Sequence, residues 1–177
     1  VLLEAARHAG LQLECAPAAG LDPLRAVHDQ DYLEFLANAW RRIDELPGQV
    51  DQILTGHFAK PQMHRRPTGL LGQIGYYTAD TSTPIVGGTW RAVTASADAA
   101  IAAADAALVD GAAYALSRPP GHHAFADCAA GFCFLNNSAI AAQRLAERTG
   151  GRVAVIDIDV HHGNGTQAIF YTRPDVL

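Results

Sequence analysis

Thiols are scarce in this chain. Its three cysteines, Cys15, Cys128 and Cys133, form no CxxC pair and leave an odd count, which argues against a disulfide framework and fits a reducing, cytoplasmic setting. Basic clusters are scarce as well. Net charge is −5, and the adjacent basic residues are confined to Arg41-Arg42 and Arg65-Arg66, so the electrostatic footprint of a nucleic-acid binder is missing. No uninterrupted apolar run reaches the ~18 residues of a bilayer span, and no secretory signal pattern is visible. Neither nucleic acid nor membrane is therefore expected as a partner. Internal repeats and low-complexity tracts are absent too, which excludes solenoids and arrays.

What is present is an ordinary globular composition, 49% hydrophobic and 18% charged over 177 residues, enough for one domain with a real core. Residues 1–9 read as a helix closed by Gly10. Asp22-Pro23 opens another, and Tyr32, Leu33, Phe35, Leu36, Ala39, Trp40 and Ile43 recur at helical spacing over 29–46. From 47 to 89 the periodicity fails. That segment, dotted with Gly and Pro, is read as a long loop insertion, the kind that is usually functional or an interaction element. Helix returns over 89–108, Ala112–Ser117 reads as a strand, and Asn136 or Asn137 caps a helix ending near Arg148. The alternation of strand and helix predicts an α/β fold with a parallel sheet. Val1 already lies inside a helical pattern, and 174–177 reads as the first step of another strand, so part of a larger domain is expected.

Chemistry concentrates in RVAVIDIDVHHGNGT, residues 152–166. Its first half is a strand apolar enough to be covered on both faces. Alternation then puts Asp157, Asp159 and His161 on one side and Ile156, Ile158 and Val160 on the other. Two acids inside an apolar strand are costly unless a cation or strong donors compensate, and the carboxyl end of a parallel strand is where open α/β sheets place their sites. A second tandem, His122-His123, follows a Pro-Pro-Gly turn. Neutral imidazoles serve both metal ligation and acid–base work near neutral pH. Carboxylate and imidazole together suit zinc, which activates water for attack on a carbonyl.

RPPGHH, GFCFLNN and DIDVHHGNGTQ, in this order and spacing, resemble the histone deacetylase superfamily. VHDQDYLEFL, GQIGYY and GTWRAV make the chain more similar to its bacterial acetylpolyamine amidohydrolase branch. The resemblance implies a three-layer fold like that of arginase, with a central parallel sheet. It implies zinc held by Asp159 and His161, with a third ligand that is not among these residues. His122 and His123 become the acid–base pair, with Asp157 behind His122 and Asn164 behind His123. The family often has an aspartate in place of Asn164, and an amide oxygen carries less charge than a carboxylate. Pro120, Gly131 and Phe132 are implied to line the channel for the acyl-amine's alkyl arm. Structural potassium is implied at main-chain carbonyls of Asp157, Asp159 and His161, and at Phe170 and Val176. The family's carbonyl-polarising tyrosine has no counterpart in these 177 residues.

The expected activity is zinc-dependent removal of acetyl or other acyl groups from amines such as acetylpolyamines or acetyl-lysine. The expected substrate is a small molecule or peptide, and the complete protein is expected to form a homodimer through 47–89. Between Pro61 and Tyr77 there is no acidic residue to attract a polycation, whereas Arg65 and Arg66 are present. A binuclear manganese hydrolase of the arginase type is the rival enzyme, and HHGNGT argues against it. The rival outside the enzymes is a truncated, metal-poor chain that only binds partners.

Overall fold

The computed structural model describes residues 1–58, 60 and 63–177. Seven α-helices are found among them: α1 (Leu2–His8), α2 (Asp22–Arg25), α3 (Gln30–Asn38), α4 (Leu70–Tyr77), α5 (Thr89–Asp110), α6 (Asn137–Thr149) and α7 (Asn164–Phe170). Buried side chains of α2 to α7 and of the segments between them join in one cluster that includes Tyr32, Phe35, Tyr77, Ile101, Leu135 and Ile140.

The helix expected over 29–46 divides. After α3 the chain tightens into a 3-10 helix, Ala39–Glu45. A three-residue turn stacks i over i+3, which brings Arg42 onto Glu45 with bonds of 2.6 and 2.9 Å. Arg42 also reaches Gln73 Oε1 and the Thr68 carbonyl, while Glu45 accepts the amide of Leu70 at the start of α4. The segment 47–89 is thereby pulled onto the core, and the expectation of a plain loop is corrected: GQIGYY forms most of α4. Leu70, Ile74 and Tyr77 are buried there, and the Tyr77 ring stacks on Phe35 at 4.8 Å. Residues 59, 61 and 62 of this segment, including the Pro61 that bounds its acid-free stretch, lie outside the described residues.

Helix α5 runs two residues beyond its expected end and stops at Gly111, which is left-handed at φ 83°. Its length and its mean hydropathy of 1.5 pass the size test for a bilayer span. Val93, Ala97, Ala100, Ile101 and Ala104 nevertheless face the protein interior, and α5 lies against α6. Asp105 makes a forked pair with Arg144 of α6 at 2.9 and 2.8 Å. The helix packs onto the protein through one face.

Among the described residues the expected parallel sheet is present only as pairings of a few residues. Val153 pairs in parallel with Val176, with Val153 N–H to Asp175, Leu177 N–H to Val153 and Val155 N–H to Leu177 at 2.8–2.9 Å. Thr78 pairs in parallel with Ala129, and Ile53 pairs antiparallel with Ile85. Ala112–Ser117, expected as a strand, carries no ladder among the described residues. The double-sided burial expected for 152–159 is likewise not found: Ile156, Ile158 and Val160 are 85, 94 and 93% exposed. Apolar sequence creates the tendency to be buried, but a neighbouring strand must realise it, and only 175–177 lies alongside.

Candidate active site

The Pro-Pro-Gly turn is bolted to two helices. Ser96 of α5 donates to the Pro119 carbonyl at 3.0 Å, and Asn137 Nδ2 of α6 reaches both Ser96 Oγ and that carbonyl at 2.9 and 3.2 Å. The next residues, His122 and His123, meet the start of α7. The first amides of a helix have no partner within it, and here Gly165 and Thr166 donate theirs to the His122 carbonyl at 3.0 and 3.2 Å. Such close approach requires glycine: a Cβ on Gly165 would lie 2.6 Å from backbone carbons of His123 and Ala124.

Below this contact sits Asn136, fully buried. Its Oδ1 caps α6 by accepting the Ala139 amide at 3.0 Å, and its Nδ2 donates to the Ala124 carbonyl and to Thr166 Oγ1, each at 3.0 Å. Its own amide donates to His28 Nε2 at 3.0 Å. His28 closes the frame through Nδ1 to the Ala126 carbonyl at 3.2 Å. Burial pushes the His28 imidazole down to about 4, so it is neutral here.

On this frame the candidate side chains converge. His122 Nδ1 lies 2.8 Å from Asp157 Oδ2, and His123 Nδ1 lies 2.8 Å from Asn164 Oδ1. Both partner oxygens accept, so each Nδ1 is the donor in its bond. The rings are 4.0 Å apart, centroid to centroid. Burial raises Asp157, but the His122 N–H and the Asp159 amide outweigh it and hold the carboxylate below its usual range.

Asp159 and His161 stand beside the pair, with the His161 ring 6.0 Å from that of His123. Asp159 Oδ1 accepts the His161 amide at 2.8 Å, and it lies 3.1 Å from His161 Nδ1. The His161 amide and ring together hold Asp159 below the usual carboxylate range. The 3.1 Å contact is of hydrogen-bond length, and a carboxylate oxygen and an imidazole nitrogen are donor types that suit zinc. Among the described residues no group of three or more His, Cys, Asp or Glu is placed to hold a metal ion. His162 turns to Gln167 instead, at 2.8 Å.

The implied channel residues divide between two faces. Phe132 is 63% exposed, and Gly131 abuts the His123 ring. Pro120 lines a cavity of about 550 Å³ with Gly121, His122, Asn137, Ile156 and Asp157, which neither Gly131 nor Phe132 lines. Of the implied potassium positions, Phe170 and Val176 are buried, and the Phe170 carbonyl accepts the Arg173 amide at 2.9 Å. Sequence reasoning saw Asn136 only as a cap and assigned no role to His28 or Asp80. The D-T-S-T run does carry an Asx-turn signature, which marks Asp80 as a turn residue but not its second partner.

A histone deacetylase domain model matches residues 1–177 of this sequence. The chain belongs to the histone deacetylase domain family. Within that family it is 45% identical over 160 residues to acetylpolyamine amidohydrolase 2 of Pseudomonas aeruginosa, covering 89% of this chain and 46% of the relative. It is 45% identical over 178 residues to acetylpolyamine amidohydrolase of Mycoplana ramosa, covering 99% and 52%. The crystal structure of acetylpolyamine aminohydrolase from Burkholderia pseudomallei superposes with a TM-score of 0.92 at 47% identity, covering 99% of this chain and 51% of that one. The chain thus has the fold of the histone deacetylase family, and it spans about half the length of the curated relatives it matches.

Proposed function

We propose that the protein carrying this chain hydrolyses the amide bond of an acylated amine, an acetylpolyamine or acetyl-lysine, with zinc held in part by Asp159 and His161. One observation carries the reading: two imidazoles, each anchored through Nδ1, stand beside a carboxylate and a third imidazole, Asp159 and His161, of the donor types that zinc takes. When bound, zinc supplies a Lewis acid next to the acyl carbonyl. The rest is done by the chain's own side chains. Asp157 and Asn164 hold the rings of His122 and His123 with Nε2 bare. One Nε2 takes a proton as water adds to the acyl carbon, and a proton is returned to the departing amine nitrogen. The family's third zinc-ligating aspartate and its tyrosine match no position in residues 1–177, so this reading concerns the whole protein.

Arg66 opposes a polycationic substrate less than its charge suggests. Its guanidinium lies 3.7 Å from Asp31 Oδ2 and over the Tyr77 ring. Relatives named acetylpolyamine amidohydrolases favour a small acetylated amine over a peptide. The test is hydrolysis of N-acetylputrescine and of an acetyl-lysine peptide by the full-length protein, with zinc content measured alongside. Chelator-sensitive turnover is expected, and Asp159→Asn and His161→Ala lose zinc and activity together. Stoichiometric zinc retained in both variants would overturn the metal assignment.

A further inference from the structure

Gly131 and Phe132 form the middle of a tight turn whose ends, Ala130 and Cys133, exchange backbone hydrogen bonds of 3.0 and 2.8 Å. Both central residues have positive φ, 53° for Gly131 and 66° for Phe132, and Phe132 is the only non-glycine residue with positive φ among those described. For a bulky side chain that backbone is disfavoured and persists only when its surroundings over-determine it. The position of the turn admits no side chain at its first member, since a Cβ on Gly131 would lie 2.8 Å from Cγ of the His123 ring. In such a turn the two central amides point outward and need acceptors from elsewhere.

Those acceptors come from a distant loop. Asp80 Oδ2 accepts the Gly131 amide at 2.5 Å, and Thr83 Oγ1 accepts the Phe132 amide at 3.1 Å. Thr83, only 1% exposed, donates its hydroxyl to Asp80 Oδ1 at 2.9 Å. The amide and hydroxyl of Ser82 donate to the same oxygen at 2.9 and 2.8 Å. Both oxygens of Asp80 are thus engaged as acceptors. Burial pushes Asp80 up, but the amides of Gly131 and Ser82 and the hydroxyls around it leave it below the usual carboxylate range.

We infer that Asp80 and Thr83 are positioning residues, which hold the left-handed Gly131–Phe132 turn and so set the Phe132 ring and the His123 imidazole in register. That Phe132 faces the acyl arm rests on the deacylase reading; that Asp80 and Thr83 hold the turn does not. Asp80→Asn puts an NH₂ where one acceptor is needed, so one backbone amide loses its partner with little change in volume. Thr83→Val removes one acceptor at constant shape.

The experiment uses the full-length, metal-loaded protein with kcat and KM for an acetyl amide, together with hydrogen exchange at residues 131–132. Asp80→Asn is expected to lower kcat/KM by about tenfold or more and to strip protection from the Gly131 amide. In a Phe132→Ala background the same substitution is expected to add less than about twofold, because coupled positions are not additive. Parental kcat/KM and protection in Asp80→Asn would overturn the inference. So would an equal fold-loss in both backgrounds, which marks a general folding role. If Asp80→Asn does not fold, Thr83→Val answers the question through the same cycle, with loss of protection at Phe132 supporting the inference and parental protection overturning it. A parent inactive on every acetyl amide would defeat the deacylase reading, while loss of protection at Gly131 in Asp80→Asn would still support the assignment of the turn.

Discussion

His122 and His123 stand on buried polar groups, whereas Asp157, Asp159 and His161 stand on an exposed stretch held largely by its own turns. Under the histidines, Asn136 and His28 are 0 and 2% exposed and join α6, α7 and the 124–126 loop. The acidic stretch is fastened to its neighbours by the Val153–Val176 pairing and by the Asp157–His122 bond. Within it, Asp157 accepts the Asp159 amide and Asp159 the His161 amide, at 3.0 and 2.8 Å. One half of the site is therefore a product of the core, and the other of local backbone geometry. Removing a buried group beneath the first should appear as lost stability, whereas removing a side chain that acts in the chemistry, in either half, should cost metal or turnover with stability kept.

The sharpest way to break the contrast is Asn136→Ala. It removes a cap and leaves the Ala124 carbonyl and Ala139 amide without partners in a dry site. A loss of about 3 kcal/mol is expected, read from the denaturant midpoint, and activity should fall with it. A loss below about 1 kcal/mol would show that the frame is redundant. Next in size are His122→Ala and His123→Ala in the full-length protein. Turnover should fall on the order of 10²-fold or more while zinc content and thermal midpoint stay parental. If either variant turns over at the parental rate, that ring is not part of the chemistry.

A graded effect should come from His28. Its folded-state value, about 4, lies below the 6.5 of a free imidazole, so folding favours the neutral ring. The stability this contributes is complete above about pH 6.5 and is lost as pH falls toward 4. The gap in denaturant midpoint between the parent and His28→Gln should narrow across that window, and a constant gap would contradict a neutral buried role. The smallest effect belongs to the exposed side. Ile158→Thr should change the stability of the 177-residue chain by less than about 0.5 kcal/mol. Ile140→Ala, at a site only 1% exposed, should cost about 2–5 kcal/mol, and urea titrations of both variants measure the difference.

Much of this was legible in the residues themselves. Apolar spacing located α3, α5 and α6, because helix burial repeats with the backbone period. Asp157, Asp159 and His161 could be grouped because alternation is a local property of extended chain. The partnerships of His122 with Asp157 and of His123 with Asn164 span 35 and 41 residues, and only the family's motifs pointed to them. Tertiary structure alone decided the rest. Arg42 and Glu45 hold the start of the helix that contains GQIGYY from 25 or more residues away, and Val153 finds its partner in Val176. Asp80 reaches Gly131 across 51 residues. A hydrogen bond at that separation leaves no periodicity in the sequence, since its geometry exists only once the chain between has folded.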